Sequence, residues 1–581
     1  MKKLLELLKP YRKSLILVLI VDTFGMMMSL LMPYVMSEIV EEGIAAENLK
    51  LVWKYAIVML VLALLSVVGN IISAKLNTGI TAKYTSELCR ETFEKINALS
   101  YTNYSKIGPS GLLTRATDDI FNIEGAVTSL PYTMVTVPIM FIGSAILSFM
   151  ADSTLSLVFM LSIPPVLILV LILMRPLYGM WDKSDKYIDL QNKIVRERLS
   201  GLRVVRAFNN EDREHKRAKL ATEEMSKYMI RANIRGGMVD PFAMLLLNLA
   251  TVAVIYVGGL RAQSGAGPSA GDVIAVLQYI ALISNALINV SWTLAWLPRL
   301  KVSVGRINEI HSMPEEERLS EAEGEEPCGF DLEISGLSFA YPDSEKKVLS
   351  DISMTVKEGE RVAIIGGTGS GKTTVVRLLL GLFDDYDGEI RLGKKEYKAL
   401  TKSKIRANIS PALQKAMIFE GRVRDNIRMG DPDASDEEIM KALEMSKMGD
   451  FVRSHEEGLD YLLVGMGQNV SGGQRQRLNM ARAVIKQTNI YIFDDSFSAL
   501  DFLTESDIRK NYAKILAGKS QILITQRVST AMSAERIYVM DGGRIIGEGT
   551  HSELLSTCDI YREIAHSQLG GDMMGGETYE G

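Results

Sequence analysis

Along the first half of the chain, apolar positions run together instead of alternating with polar ones. Six runs lie near 15–37, 53–74, 132–151, 154–174, 241–260 and 273–297. Each is long enough to cross a bilayer as a helix, which takes about 20 residues. The first, SLILVLIVDTFGMMMSLLMPYVM, follows the short basic amphipathic stretch MKKLLELLKPYRK. It is long for a signal-peptide core and shows no small-residue cleavage pattern, so it reads as a retained span after an interfacial helix. Asp22 interrupts this run, and an intramembrane carboxylate either lines a polar cavity or makes a structural hydrogen bond. The Met26-Met27-Met28 run suits an adaptable apolar surface in contact with lipid or core.

Charge between the runs sets their orientation. The segment SEIVEEGIAAENLK is acidic, the junction between the third and fourth runs is almost absent, and RAQSGAGPSAGD is polar and glycine-rich. These three face outward. The long connections at 75–131 and 175–240 carry many Lys and Arg, which places them inside with the basic N-terminus. Both keep a helical pattern with little break, so the spans are expected to continue as rods beyond the membrane. Each holds one reversal, SYTNYSKIGPSGLL (100–113) and ERLSGLRVVRAF (197–208). Gly108 and Pro109 end a helix and allow a short transverse one. Such an element is either a solvated hairpin tip or a docking surface.

After the sixth run the pattern changes. MPEEERLSEAEGEEPCG (313–329) is acidic and nearly free of apolar residues, as a solvated linker should be. Beyond it RVAIIG precedes TTVVRLLLGL, NIYIFD precedes a polar helix, and SQILIT precedes another. That alternation predicts an α/β domain with a largely parallel sheet. The expected division is a six-span helical domain at 1–310, an acidic linker at 311–328, the α/β domain at 329–568 and a disordered tail at 569–581.

Composition removes several function classes. With 47% hydrophobic and 23% charged residues, the chain is no disordered or disulfide-scaffold protein. Its 65 Lys and Arg against 70 Asp and Glu argue against a broadly basic nucleic-acid binder. Cys89, Cys328 and Cys558 are too far apart to suggest a disulfide framework or metal-ligand spacing. The five histidines show no HExxH pattern, which argues against a catalytic metalloprotein.

The densest chemistry lies in Gly366-Gly367-Thr368-Gly369-Ser370-Gly371-Lys372-Thr373, followed by Thr374. It matches GxxxxGK[ST] between a predicted strand and a predicted helix, the context that gives this pattern meaning. Glycines let backbone N–H groups turn around phosphate oxygens, and the helix N-terminus adds a favourable field. Lys372 is placed for the β- and γ-phosphates and Thr373 for Mg²⁺. The strand NIYIFDD supplies Asp494 for Mg²⁺ and Asp495 where a base for the attacking water would stand. A further helix start, Ser471-Gly472-Gly473-Gln474, is a second candidate phosphate site.

A P-loop, an SGGQ segment and six preceding spans together resemble the ATP-binding cassette (ABC) half-exporters, over the whole chain. The resemblance implies ATP and Mg²⁺ as cofactors and a dimer in which SGGQ reaches the γ-phosphate on the opposite subunit. It implies that Tyr341 stacks on adenine and that Gln414 touches Mg²⁺ and senses the membrane domain. It places Asp501 in the D-loop and Gln526 at the switch, and makes the two reversals coupling helices.

Two positions depart from that family. Asp495 stands for the catalytic Glu and Gln526 for the switch histidine. A side chain one methylene shorter falls about 1.5 Å short, and a misplacement near 1 Å can cost about a hundredfold in rate. Gln526 can hydrogen-bond a phosphate but cannot carry its proton. Leu462 and Leu463 also replace an expected Thr-Glu pair before the signature. The implied protein is the degenerate-site subunit of a heterodimeric exporter in the inner or plasma membrane. Its partner is a related half-transporter, and its cargo is hydrophobic or amphipathic. An ATP-gated channel or regulatory protein, or a slow homodimeric lipid or peptide exporter, are the alternatives.

Overall fold

The computed structural model describes residues 8–263, 267–316, 327–342, 344 and 346–569. It leaves the side chains of 130–132, 178 and 287–298 undescribed. The chain divides into two compact units: Met1–Asn97 with Ser110–Ser312, and Ala98–Pro109 with Met313–Gly581.

The first unit is helical. It comprises α1 (Arg12–Glu38), α2 (Leu49–Ala98), the C-terminal part of α3 (Tyr101–Ala116), α4 (Asp118–Ala151), α5 (Ser153–Met160), α6 (Ile163–Met174), α7 (Leu177–Ser200), α8 (Leu202–Ala207), α9 (Glu211–Gly237), α10 (Val239–Gln263) and α11 (Ala270–Ser312). The 50 residues of α2 span about 75 Å at 1.5 Å each, far more than the hydrocarbon thickness. The helix therefore extends well beyond any span it contains. Among the described residues, five helical stretches are long and apolar enough to cross a membrane. The sixth expected run falls on α11, where the shorter apolar stretch is Ala270–Ala286 and the next side chains lie outside the description. A count of six is not established by these helices.

The near-absent junction after α4 has a local cause. Asp152 caps α5 by accepting from the Thr154 and Leu155 backbone N–H groups at 2.9 and 2.8 Å, and Arg261 of α10 grips both its oxygens at 2.8 Å. Asp22 is buried on α1. The first reversal breaks α3 at Gly108, whose φ of 76° precedes Pro109. Its N-terminal portion groups with the second unit, where the Tyr101 ring meets Phe383 edge-on at 5.3 Å and Asn103 donates to the Pro314 carbonyl at 3.1 Å. The second reversal forms α8, with no buried residue and with Val204 exposed beside Phe208.

Among its described residues the second unit carries three sheets. One contains β1 (Leu332–Phe339), β2 (Leu349–Val356), β4 (Asp387–Leu392) and β5 (Lys395–Glu396) in the order β2-β1-β4-β5. The main sheet contains β3 (Arg361–Gly366), β6 (Ile409–Ala412), β9 (Ile490–Asp494), β10 (Ser520–Thr525), β11 (Arg536–Asp541) and β12 (Arg544–Gly549), ordered β12-β11-β3-β10-β9-β6. All its pairings are parallel except β11–β12. Strands β9 and β10 are buried throughout, which explains their continuous apolar runs. The third sheet pairs β7 (Gly421–Arg422) with β8 (Leu462–Leu463).

Register decides where the chemistry meets. Thr525 pairs with Ile365 and Ile524 with Asp494, so the carboxyl ends of β3, β9 and β10 lie side by side. In parallel α/β sheets that edge is where ligands bind. Residues 317–326 of the expected linker and 570–581 of the expected tail lie outside the described residues; Leu569 closes the last helix.

Candidate nucleotide site

The loop after β3 needs its glycines for distinct reasons. A Cβ on Gly366 would lie 2.1 Å from the Met540 carbonyl oxygen, and one on Gly371 would lie 2.6 Å from a Leu349 methyl. Gly371 also has φ +101°, a conformation that L side chains rarely adopt. The loop wraps Lys372 at the start of the helix Lys372–Leu379. Its Nζ donates to the carbonyls of Gly366 (2.8 Å) and Gly367 (2.7 Å) and to Ser370 Oγ (3.1 Å). Burial holds this ammonium below the usual lysine range, against the pull of the Asp495 and Asp494 carboxylates. A buried positive charge at a helix start, ringed by backbone, is suited to an anion.

Thr373 follows at once, and its side chain lies near enough to Asp494, at the end of β9, to lower the pKa of that carboxyl. Burial, helped by the charge of Asp495, pushes the Asp494 carboxyl up to about 6. Asp495 is raised by burial too, opposed by a hydrogen bond with Gln414 and by the charges of Lys372 and Arg527. Its backbone is left-handed, with φ +47°, a region Asp enters more easily than most residues. Thr373, Asp494 and Gln414 are hard oxygen donors, and Mg²⁺ beside phosphate takes one or two protein carboxylates, not a full cage. No group of three or more His, Cys, Asp or Glu that could hold a metal occurs among the described residues. The donors present therefore fit Mg²⁺ shared with a phosphate ligand.

Tyr341 approaches this loop. Its hydroxyl lies 3.0 Å from Thr374 Oγ1 and accepts from Arg377 at 2.9 Å. Its half-buried ring sits edge-on to Phe339 and Phe383, with centroids 5.1 and 5.5 Å away. Packing against the sheet aromatics and proximity to the loop thus coexist at Tyr341.

Ser471, Gly472, Gly473 and Gln474 form a separate helix start. Ser471 Oγ accepts from the Gln474 N–H at 3.2 Å while Gln474 Oε1 accepts from the Ser471 N–H at 2.7 Å, a reciprocal cap. Gln476 ties this helix to the next loop, donating to Ser498 Oγ at 3.1 Å and accepting from the Ala499 N–H at 3.0 Å. Asp501, expected as a D-loop contact, caps the helix Phe502–Ile515 by accepting from Thr504 N–H at 3.0 Å, which lowers its pKa. Thr368, Gly369 and Ser370 lie on the loop itself. Gln526 is exposed just beyond β10.

Several residues here escaped the sequence reading. Arg527 donates to the Ser498 carbonyl at 2.9 Å and to buried Glu505 at 3.0 Å, and Glu505 also accepts from Thr530 at 2.6 Å. The position beside Gln526 could have pointed to Arg527. Nothing in the local pattern pointed to Glu505, whose burial comes from the packed fold. Leu463 also acquires a reason: it is buried in the cluster with Ile418 and Val423, while Leu462 faces outward.

Residues 15–287 match the ABC transporter transmembrane region, and residues 349–498 match the ABC transporter family. The chain belongs to the ABC transporter family. An uncharacterized ABC transporter ATP-binding protein of Mycobacterium tuberculosis is 33% identical over 574 residues, covering 98% of each chain. A similarly described protein of Bacillus subtilis is 29% identical over 570 residues, covering 98% of this chain and 99% of its own. Among solved structures, a bacterial Atm1-family ABC exporter with ATP bound shares the fold. Its TM-score is 0.83 at 20% identity, covering 98% of this chain and 99% of that one.

Proposed function

We propose that this chain is one subunit of an ATP-driven exporter that works by alternating access, paired with a related but different half-transporter. The observation that carries the reading is the convergence of Lys372, Thr373, Asp494, Asp495 and Gln414 at one sheet edge, in a chain whose first half consists of membrane-length helices. The apolar runs and basic connections support six spans and a cytoplasmic nucleotide domain, in an inner or plasma membrane. A hydrophobic or amphipathic cargo suits the multidrug and lipid-flipping exporters that the chain resembles.

In this reading Lys372 and the loop N–H groups hold the phosphates of ATP, and Tyr341 meets the adenine after releasing its edge-on packing. Bound Mg²⁺ supplies charge neutralisation at the phosphates; Thr373, Asp494 and Gln414 are the residues that would hold it. Asp495 accepts the proton of the attacking water from too short a side chain, and Gln526 contacts the γ-phosphate without a titratable proton. The site binds ATP and hydrolyses it slowly. The intact Ser471-Gly472-Gly473-Gln474 start serves the partner's nucleotide, and the segments 100–113 and 197–208 act as coupling helices. The packing of Tyr101 on Phe383 supports that role for the first.

The test is ATP-dependent accumulation of a fluorescent drug in inverted vesicles containing the chain and its partner. Uptake supports transport. ATP-gated ionic conductance without uptake would contradict it and favour a channel.

A further inference from the structure

The last helix, Asp559–Leu569, reaches back to the strand end that carries Gln526. The Gln568 Nε2 donates to the backbone carbonyl of Gln526 at 2.7 Å, and Gln568 Oε1 accepts from the Val528 N–H at 2.8 Å. One side-chain amide thus reads a donor and an acceptor two residues apart, as a neighbouring strand would. Val528 opens the short helix Val528–Ala531, whose N-cap, Arg527, makes no side-chain cap bond. Its N–H is therefore one of the orphan donors of a helix start, and Gln568 satisfies it. From the other side Arg527 is held by Glu505 and the Ser498 carbonyl.

We propose that Gln568 is a positioning residue for the nucleotide site: its amide clamps the 526–528 backbone and so sets the direction in which the Gln526 side chain projects. The helix carrying it is anchored independently, through Tyr561 and Ala565 in the hydrophobic core. This rests on the reading that Gln526 meets the γ-phosphate. The clamp then governs discrimination between ATP and ADP, which differ only in that phosphate, and leaves affinity for their shared part unchanged.

Mg-ATP and Mg-ADP are titrated against trinitrophenyl-ATP bound to the full-length chain in lipid nanodiscs. Gln526→Ala is expected to reduce the preference for ATP over ADP severalfold, and Gln568→Ala to reduce it by no more than that, without weakening ADP. Gln568→Glu distinguishes positioning from bulk stability. Its carboxylate still accepts from the Val528 N–H but opposes the Gln526 carbonyl, whereas its protonated form has one O–H to donate and restores both bonds. Its ATP preference, taken relative to wild type at the same pH, should be low in mild alkali and recover toward wild type as the medium is acidified to near the carboxyl pKa.

An unchanged preference in both Gln568 variants, with Gln526→Ala defective, overturns the clamp while leaving the phosphate contact standing. Equal loss of ATP and ADP affinity, or a Gln568→Glu defect independent of pH, also overturns it. An unchanged preference in Gln526→Ala removes the underlying reading and the proposal with it.

Discussion

Replacing Asp494 by Asn should make the nucleotide domain more stable while removing its Mg²⁺-dependent grip on ATP. The carboxyl is pushed from 3.8 to about 6, chiefly by burial and then by the charge of Asp495. A rise of about two units corresponds to roughly 3 kcal/mol. The folded chain therefore binds this proton more tightly than the unfolded chain. The stabilisation from the neutral form is complete below the unfolded pKa and is lost as pH rises through about 6. Near neutrality the fold carries the ionised group at that cost.

Asparagine keeps the shape and stays neutral. At about 2–4 °C per kcal/mol for a domain of this size, the upper limit is a rise of roughly 5–10 °C. Thermal unfolding of full-length wild type and Asp494→Asn, without nucleotide, is followed from mildly alkaline to acidic pH. The gap should be widest in alkali and shrink as the pH falls through about 6. Mg-ATP affinity should fall in the mutant, with little change in the Mg²⁺-free affinity. A mutant no more stable than wild type, or one whose advantage ignores pH, would refute the reasoning.

Lys372→Ala should cost most of the Mg-ATP affinity. One unit charge near 4 Å is worth about 4 kcal/mol at an effective dielectric of 20, roughly a thousandfold. Photolabelling with an ATP analogue measures it, and undiminished labelling would contradict the P-loop assignment. Gly472→Asp should strongly reduce turnover of the assembled transporter although this chain's own P-loop is untouched, because a carboxylate then faces the partner's γ-phosphate. Wild-type phosphate release from that complex would show that the segment does not act across the dimer.

What the sequence made legible was contiguous. The glycine-rich loop, NIYIFDD and SGGQ each place their chemistry within a few residues, so spacing alone marked them. The buried parallel strands were visible for a related reason, since covering both faces leaves apolar runs such as RVAIIG and SQILIT. Residues brought together only by packing were invisible. Glu505 is a polar residue on a polar helix until Arg527 and Thr530 close over it. Gln568 lies 42 positions from the backbone it bonds. The cap that Asp501 gives the helix Phe502–Ile515 is a local role that its motif did not signal. The reversal at 100–113 was legible because Gly108 and Pro109 break helices. Its N-terminal part, up to Pro109, groups with the second unit, where Tyr101 meets Phe383, a contact that no local pattern encodes.

We propose that this chain does not hydrolyse ATP efficiently without a different partner. A homodimer would hold two sites with Asp495 and Gln526, and no well-equipped base in either. In a heterodimer, the partner's P-loop would face this chain's intact Ser471-Gly472-Gly473-Gln474. The most direct measurement is subunit stoichiometry together with steady-state ATPase rate, for the chain purified alone and with the product of the neighbouring gene. The account predicts little turnover alone and ordinary exporter rates for a one-to-one complex. That activity should be abolished by replacing the partner's catalytic Glu with Gln and only modestly reduced by Asp495→Asn here. A stable dimer of this chain alone, hydrolysing ATP at ordinary exporter rates and inactivated by Asp495→Asn, would contradict it.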